Sequence, residues 1–303
     1  MTNLLPGNKV SRFIPNLTSV LCPTRNRPGQ LIAMMQSCLE NASNSNLIEF
    51  CLYIDNDDFS YDINKLFEIS VNTRIVRGPK MPLSLTFNSL LTVANGEFYF
   101  YTGDDVIFQS LYWDKSLKDP LLGVPDRLGA TYGNDLASYE QKYATHGMVH
   151  YNWISLFGYI FTPHMKDNGT DFWISEVARK AKRLFYCPEV IVEHLQYRQG
   201  KSVSDETYRA RRKDHETYDL IELYRNGKSE RRRDLLLLLQ KLSQPSDLCK
   251  GFLISGIYSK IKLKFDKDFI RSNNFIYLNC ISDFNLIRKV VRKILFLRPP
   301  KIS

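Results

Sequence analysis

Three apolar runs, each breaking off into a cluster of polar or charged residues, constrain this chain more than any other feature. They are "LTSVLCPTRNRP" (17–28), "IEFCLYIDNDD" (48–58) and "EFYFYTGDDVIF" (97–108). Between them, "GQLIAMMQSCLENA" (29–42) and "LSLTFNSLLTVANG" (83–96, stopped by Gly96) carry apolar residues at helical spacing, and "TRIVRG" (73–78) reads as a short further strand. Strands alternating with helices predict an α/β domain whose central sheet is mostly parallel and flanked by helices. Ligands of such sheets bind beyond the carboxyl ends of the strands. The polar clusters "CPTRNRP", "DNDD" and "TGDD" are therefore expected to converge on one edge.

Residues 110–200 are less regular. "DRLGATYGNDL" suggests a strand leading into a loop, and "ISLFGYIFT" (154–162) is apolar. "GTDFWISEVARKAKRL" (169–184) is helical, with Thr170 or Asp171 near its start as a cap, and "VIVEHL" (190–195) is a strand ending in Glu193 and His194. A polar helix follows over 204–227, with Ser204 or Asp205 as its cap, and the five leucines at 235–239 sit in one helix.

Adjacent Asp104 and Asp105 repel each other unless a cation lies beside them. A hard divalent ion with oxygen ligands, Mg²⁺ or Mn²⁺, meets that need and commonly binds substrate phosphates as well. Gly-Asp-Asp at a strand end is also good turn chemistry, so the pair alone leaves both readings open.

Charge is distributed unevenly. Residues 226–303 hold 17 Lys and Arg against 6 Asp and Glu, a net +11, whereas residues 1–225 carry −2. This predicts a near-neutral body (1–225) and a basic, mainly helical extension (226–303) suited to an anionic partner. The six cysteines form no CxxC pair and no zinc-ligand spacing with His, and several lie within apolar runs and read as small core residues. No apolar run approaches the ~18–20 residues needed to span a bilayer, and "MTNLLPGNKV" lacks the apolar core of a signal peptide. A reducing, cytoplasmic protein is expected.

The motifs in their order resemble a nucleotide-sugar glycosyltransferase of the GT-A type, close to the large family 2 group. "LCPTRNRP" resembles the first-strand motif that receives the nucleotide, "YIDNDD" the acidic second-strand end, and "YTGDDVIF" the strand bearing the DXD motif. "YGNDL", "DFWISEVARKAKRLFYCPEVIVEHL" and "GKSVSDETYRARRKDHETYD" are similar to a bacterial and phage subgroup, and the likeness covers roughly residues 17–225. It implies a GT-A-like, Rossmann-like sheet. Pro23, Thr24, Arg25, Arg27, Asp55, Arg77, Thr102, Gly103, Asp104, Asn134, Asp135 and Lys201 would then lie on the donor, a UDP-sugar first among nucleoside-diphosphate sugars. It also implies Mn²⁺ or Mg²⁺ on Asp104, Asp105 and His194. Thr102 departs from the pattern by standing where the first acid of DXD usually is.

Asp171 is implied as the base that takes the acceptor hydroxyl's proton in an inverting transfer. The same position suits an N-cap, and Asp167 and Glu176 are the other acids near it. His194 reads equally as a core histidine, and Lys201 as a solvated lysine. Asp57 and Asp58 are expected to be solvated or to start a helix, and Asn88 to be structural. Trp153 and Trp173 would stack on a sugar or fill the core, while His146 and His150 flank a loop and rank low.

The acceptor implied is a glycan or a lipid-linked glycan on the cytoplasmic membrane face. Residues 251–301 interleave apolar and basic side chains, which fits an anionic membrane interface. The same pattern also fits packing on the protein's own body or, as the alternative acceptor, modified phage DNA. A non-catalytic nucleotide- or glycan-binding relative is the remaining reading.

Overall fold

The computed structural model describes residues 13–136, 142–165, 169–195, 200–201, 205 and 225–243. Two compact units divide the chain, Met1–Ser246 and Asp247–Ser303. The amphipathic segments at 251–301, Asp167, and most of the helix expected over 204–227 lie outside the described residues.

The strands, in chain order, are β1 (Ile14–Thr24), β2 (Ile48–Asp55), β3 (Thr73–Gly78), β4 (Gly96–Tyr101), β5 (Val106–Phe108), β6 (Ala130–Asn134), β7 (Gly147–His150) and β8 (Leu184–His194). Seven helices are described among these residues: α1 (Pro28–Glu40), α2 (Ile63–Ile69), α3 (Leu83–Leu90), α4 (Trp113–Leu122), α5 (Tyr151–Phe157), α6 (Thr170–Lys180) and α7 (Lys228–Ser243). The sheet order is β3-β2-β1-β4-β7-β6-β8-β5. The first four strands are parallel, β6 pairs parallel with β8, and β7 and β5 run antiparallel to their neighbours. The expected α/β fold with a mostly parallel sheet is what the chain forms.

Every residue of β2 and β4 is buried, as expected of strands covered on both faces. Alternation then sorts them. Val20, Cys22, Phe50, Leu52, Phe98 and Phe100 face the layer containing α1 and α4. Leu21, Cys51, Tyr53, Tyr99 and Tyr101 face the layer built on α3, α6 and α7. Burying each large side chain contributes about 1.5–3 kcal/mol. In α1, Leu31, Met34, Met35 and Cys38 form the buried stripe at helical spacing, and Pro28 opens the helix where a missing N–H costs nothing. Cys22, Cys38, Cys51 and Cys187 are buried, as their apolar contexts predicted.

Two local expectations are corrected. Residues 97–108 are two strands, because β4 ends at Tyr101 and β5 leaves to pair antiparallel with β8. The acids therefore lie in the break between them. The helix expected over 83–96 ends at Leu90, and Gly96 opens β4 instead of stopping the helix. The leucine run sits in one helix as expected, α7, which packs onto α6. Buried Asp234 accepts hydrogen bonds from Trp173 Nε1 (2.9 Å) and Tyr159 Oη (2.6 Å).

Candidate active site

One edge of the sheet collects the chemistry. The carboxyl ends of β1, β2, β4, β6 and β8 deliver Thr24, Asp55, Thr102, Asn134 and His194. The antiparallel β7 starts there, since Gly147 lies opposite Tyr101, and so brings His146 to the same edge. Backbone bonds stitch the strand ends together: Thr102 N donates to Leu21 O, His194 N to Asp135 O, and Leu195 N to Asp105 O.

Asp104 and Asp105 are both buried. Thr24 Oγ1 donates to Asp104 Oδ2 (2.7 Å) and lies 2.6 Å from Tyr61 Oη, which in turn accepts from Arg27 N. Arg27 Nη1 reaches Asp104 Oδ1 at 3.0 Å and Asp105 Oδ2 at 3.3 Å. Burial, then the neighbouring Asp105 charge, push the Asp104 carboxyl above the usual carboxylate range, against the pull of Arg27. Gly103 lets Asp105 fold in close, because a Cβ there would sit 2.6 Å from Asp105 Oδ1.

His194 Nε2 lies 3.4 Å from Asp105 Oδ1. Its ring meets the His146 ring edge-on at 4.7 Å, and His146 Nδ1 lies 3.2 Å from Thr102 Oγ1. An oxygen and a nitrogen at this spacing come close to the ~3 Å between neighbouring ligands on Mn²⁺ or Mg²⁺. Asp105 and His194 thus fit one ion as two ligands. The expected trio with Asp104 is not assembled, because Asp104 turns to Thr24 and Arg27. Among the described residues no three of His, Cys, Asp and Glu are grouped to hold an ion.

Asp171 is in the first turn of α6, whose cap is Gly169 in a left-handed conformation, so neither Thr170 nor Asp171 is the N-cap. The carboxylate accepts from Phe172 N (2.9 Å). Burial pushes it up to about 6; the N–H bonds and His194 oppose this, while Asp135 adds to it. The residue as a whole is half-buried. An acid at a helix start with a raised pKa, within electrostatic reach of His194, is equipped to take a proton near neutral pH.

On the other side, Arg25 grips Asp57 through two hydrogen bonds and reaches Asp55 Oδ2 at 2.7 Å. Arg77 Nη2 donates to Asp58 O (2.7 Å), and its guanidinium lies 5.9 Å from the ring centroid of Phe59, which is 83% exposed. Asp57 is exposed as expected, but Asp58 is buried. Asp58 accepts from Asn26 N, Ser60 N and Ser60 Oγ and fixes the loop after β2. Pro23 lies in β1 beside Tyr53, and Asn134 Oδ1 accepts from Leu136 N next to buried Asp135.

Other candidates fall elsewhere. Lys201 pairs with Glu193 at 2.8 Å, and Glu193 precedes His194 on the strand and so faces the opposite way. Glu176 pairs with Lys180 and Arg231. Trp153 and Trp173 are both core residues. His150 caps α5 and contacts Glu97. Asn88 is structural as expected, holding Phe161 O, Ile160 N and Phe161 N. Three site residues escaped the sequence reading: His146, ranked low, Tyr61, and Asp205, expected as a helix cap. Asp205 accepts from Arg27 Nε (2.6 Å) and Nη2 (2.9 Å). Only the spacing of Asp205 from the "GK" at 200–201 hinted at this.

No family model matches this sequence, and no curated protein matches it. Among solved structures, the chain is similar to S. aureus TarS 1–349, with 14% identity and a TM-score of 0.46 over 58% of this chain and 59% of that one. It is similar to the same protein in complex with UDP, at 12% identity and a TM-score of 0.47 over 58% and 59%. It is also similar to the mannosyltransferase PcManGT from Pyrobaculum calidifontis in complex with GDP-Man and Mn²⁺, at 16% identity and a TM-score of 0.46 over 60% and 57%. The match spans less than two thirds of each of these chains.

Proposed function

We propose that the chain is a GT-A-like glycosyltransferase that moves a sugar from a nucleoside-diphosphate sugar to a hydroxyl acceptor. The supporting observation is the contact of Asp105 with His194 at the sheet edge, with Asp171, an acid whose pKa is raised to about 6, within electrostatic reach of His194. The Asp55, Arg25 and Arg77 loops beside them offer hydrogen-bonding groups and the Phe59 ring to a nucleoside. In the proposed single displacement, Asp171 takes the proton of the acceptor hydroxyl as its oxygen bonds to the sugar's anomeric carbon. The bond from that carbon to the diphosphate breaks, and the nucleoside diphosphate leaves with the electron pair. Arg27 and Thr24 would orient the diphosphate. A divalent ion held by Asp105 and His194 would supply positive charge to the leaving group.

The acceptor class proposed is a glycan or lipid-linked glycan, with residues 251–301 meeting an anionic membrane. Vesicle flotation with and without residues 280–303 tests that contact, and equal flotation refutes it. For the reaction, the protein is incubated with a panel of nucleotide sugars and Mn²⁺, and nucleoside diphosphate release is followed. Release with at least one donor, lost in Asp171→Asn, is expected. Tight nucleotide binding with no release from any donor would overturn the enzyme reading.

A further inference from the structure

Asp104 and Asp105 keep only 6% and 5% of their side-chain surface exposed, yet a cation already lies between them: the guanidinium of Arg27, itself 5% exposed. One nitrogen, Nη1, serves both carboxylates at 3.0 and 3.3 Å. The two other nitrogens, Nε and Nη2, are taken by the two oxygens of Asp205, 178 residues further along the chain. Arg27 is thus held from behind by a paired carboxylate and presents its remaining nitrogen to the acidic pair. A guanidinium stays charged at any working pH and matches carboxylates with a rigid fork.

The place it occupies is where an ion on Asp105 and His194 would have to draw on the same Asp105 carboxylate. His194 reaches Oδ1 while Arg27 reaches Oδ2. Two cations sharing one carboxylate group repel each other strongly in a buried setting.

We propose that Arg27 is the built-in counter-cation of this carboxylate pair, that it competes with a divalent ion for Asp105, and that Asp205 keeps it at hand when it yields. Entry of the ion and retreat of Arg27 Nη1 are one exchange. The retreating group stays at the site on its two bonds to Asp205, with a donor to offer a phosphate oxygen. This rests on the reading of the pair as the ion and diphosphate site.

Mn²⁺ binding to the full-length protein without nucleotide, followed by electron paramagnetic resonance and by the Mn²⁺-induced rise in melting temperature, tests the exchange. Arg27→Gln removes the competing charge and should bind Mn²⁺ at least ~tenfold more tightly than wild type, with a larger thermal shift. Arg27→Lys keeps a charge but as a point that cannot span both carboxylates while gripping Asp205. It should bind Mn²⁺ more tightly than wild type by a smaller factor, and it decides the matter if the Gln variant does not fold. Equal or weaker Mn²⁺ binding in the folded variants overturns the proposal, as does the absence of Mn²⁺ binding in wild type and both variants. Nucleoside diphosphate release is scored separately, so failure of the exchange and failure of the transferase reading are told apart.

Discussion

Replacing Asp171 with Asn should make the protein more stable at alkaline pH while removing its activity. Burial moves the native carboxyl from an ordinary 3.8 to about 6. The native state therefore holds this proton more tightly than the unfolded chain, and stability falls as pH rises from 3.8 through 6. Above that window the full penalty of keeping Asp171 ionised applies. A rise of about two pH units at 1.36 kcal/mol each gives ~3 kcal/mol as a ceiling. Because Asp171 is half-buried, solvent screens part of this, and ~1–2 kcal/mol is the expected gain for Asp171→Asn at pH 8. About half of that gain should remain at pH 5, and none below pH 3.8. The amide oxygen can still accept from Phe172 N, so the helix start is kept. Urea midpoints of both proteins at pH 8 and pH 5 measure the difference at constant slope. A variant less stable than wild type at pH 8, or a gain equal at both pH values, would refute the reasoning. If Asp171 is the base, the same variant loses ~10²–10⁴ in turnover. Greater stability with lost activity separates a functional acid from a structural one.

Three further outcomes are expected. Nucleoside diphosphate release at low donor concentration should fall about tenfold per pH unit below about 6 and level off above it, following the Asp171 carboxylate; a profile flat from pH 5 to 8 speaks against this base. Gly103→Ala should leave the melting temperature near that of wild type but impair Mn²⁺ binding and release, because the new methyl displaces only the end of the Asp105 side chain; unchanged Mn²⁺ binding would show that Asp105 is not a ligand. Asp234→Ala should cost about 3 kcal/mol in denaturant unfolding, because it leaves Trp173 Nε1 and Tyr159 Oη without their acceptor; a loss under 1 kcal/mol would mean that α7 is not fastened there.

The strand ends were legible because their information is local. An apolar run that stops at Thr24, Asp55 or Tyr101 announces both a buried strand and the edge where it leaves the core. The break at 102–105 was not legible in the same way. "EFYFYTGDDVIF" is apolar on both sides of the acids, and nothing local states that Val106 pairs with His194, 88 residues on, while Tyr101 pairs with Gly147. Long-range pairing, not propensity, decides that division. The antiparallel β7 had the same effect on His146. In a wholly parallel sheet, a residue just before a strand lies on the edge away from the ligand; reversing one strand brings it to the site.

The carboxylate pair shows where local reading stops altogether. The sequence leaves a cation or a plain turn open for Asp104 and Asp105; their burial in the fold is what calls for a positive charge beside them. The sequence cannot say which cation, because the answer depends on a residue 77 positions upstream and another 101 positions downstream of Asp104. Arg27 lies between the two carboxylates and is itself held by Asp205, so one guanidinium serves three acids. Thr102 fits this economy of charge. An acid there, next to His146 and beside three carboxylates already sharing one arginine, would add a fourth negative charge. A hydroxyl satisfies His146 Nδ1 at 3.2 Å without one. The hydroxyl at Thr102 and the guanidinium between the two acids thus both limit negative charge at this edge.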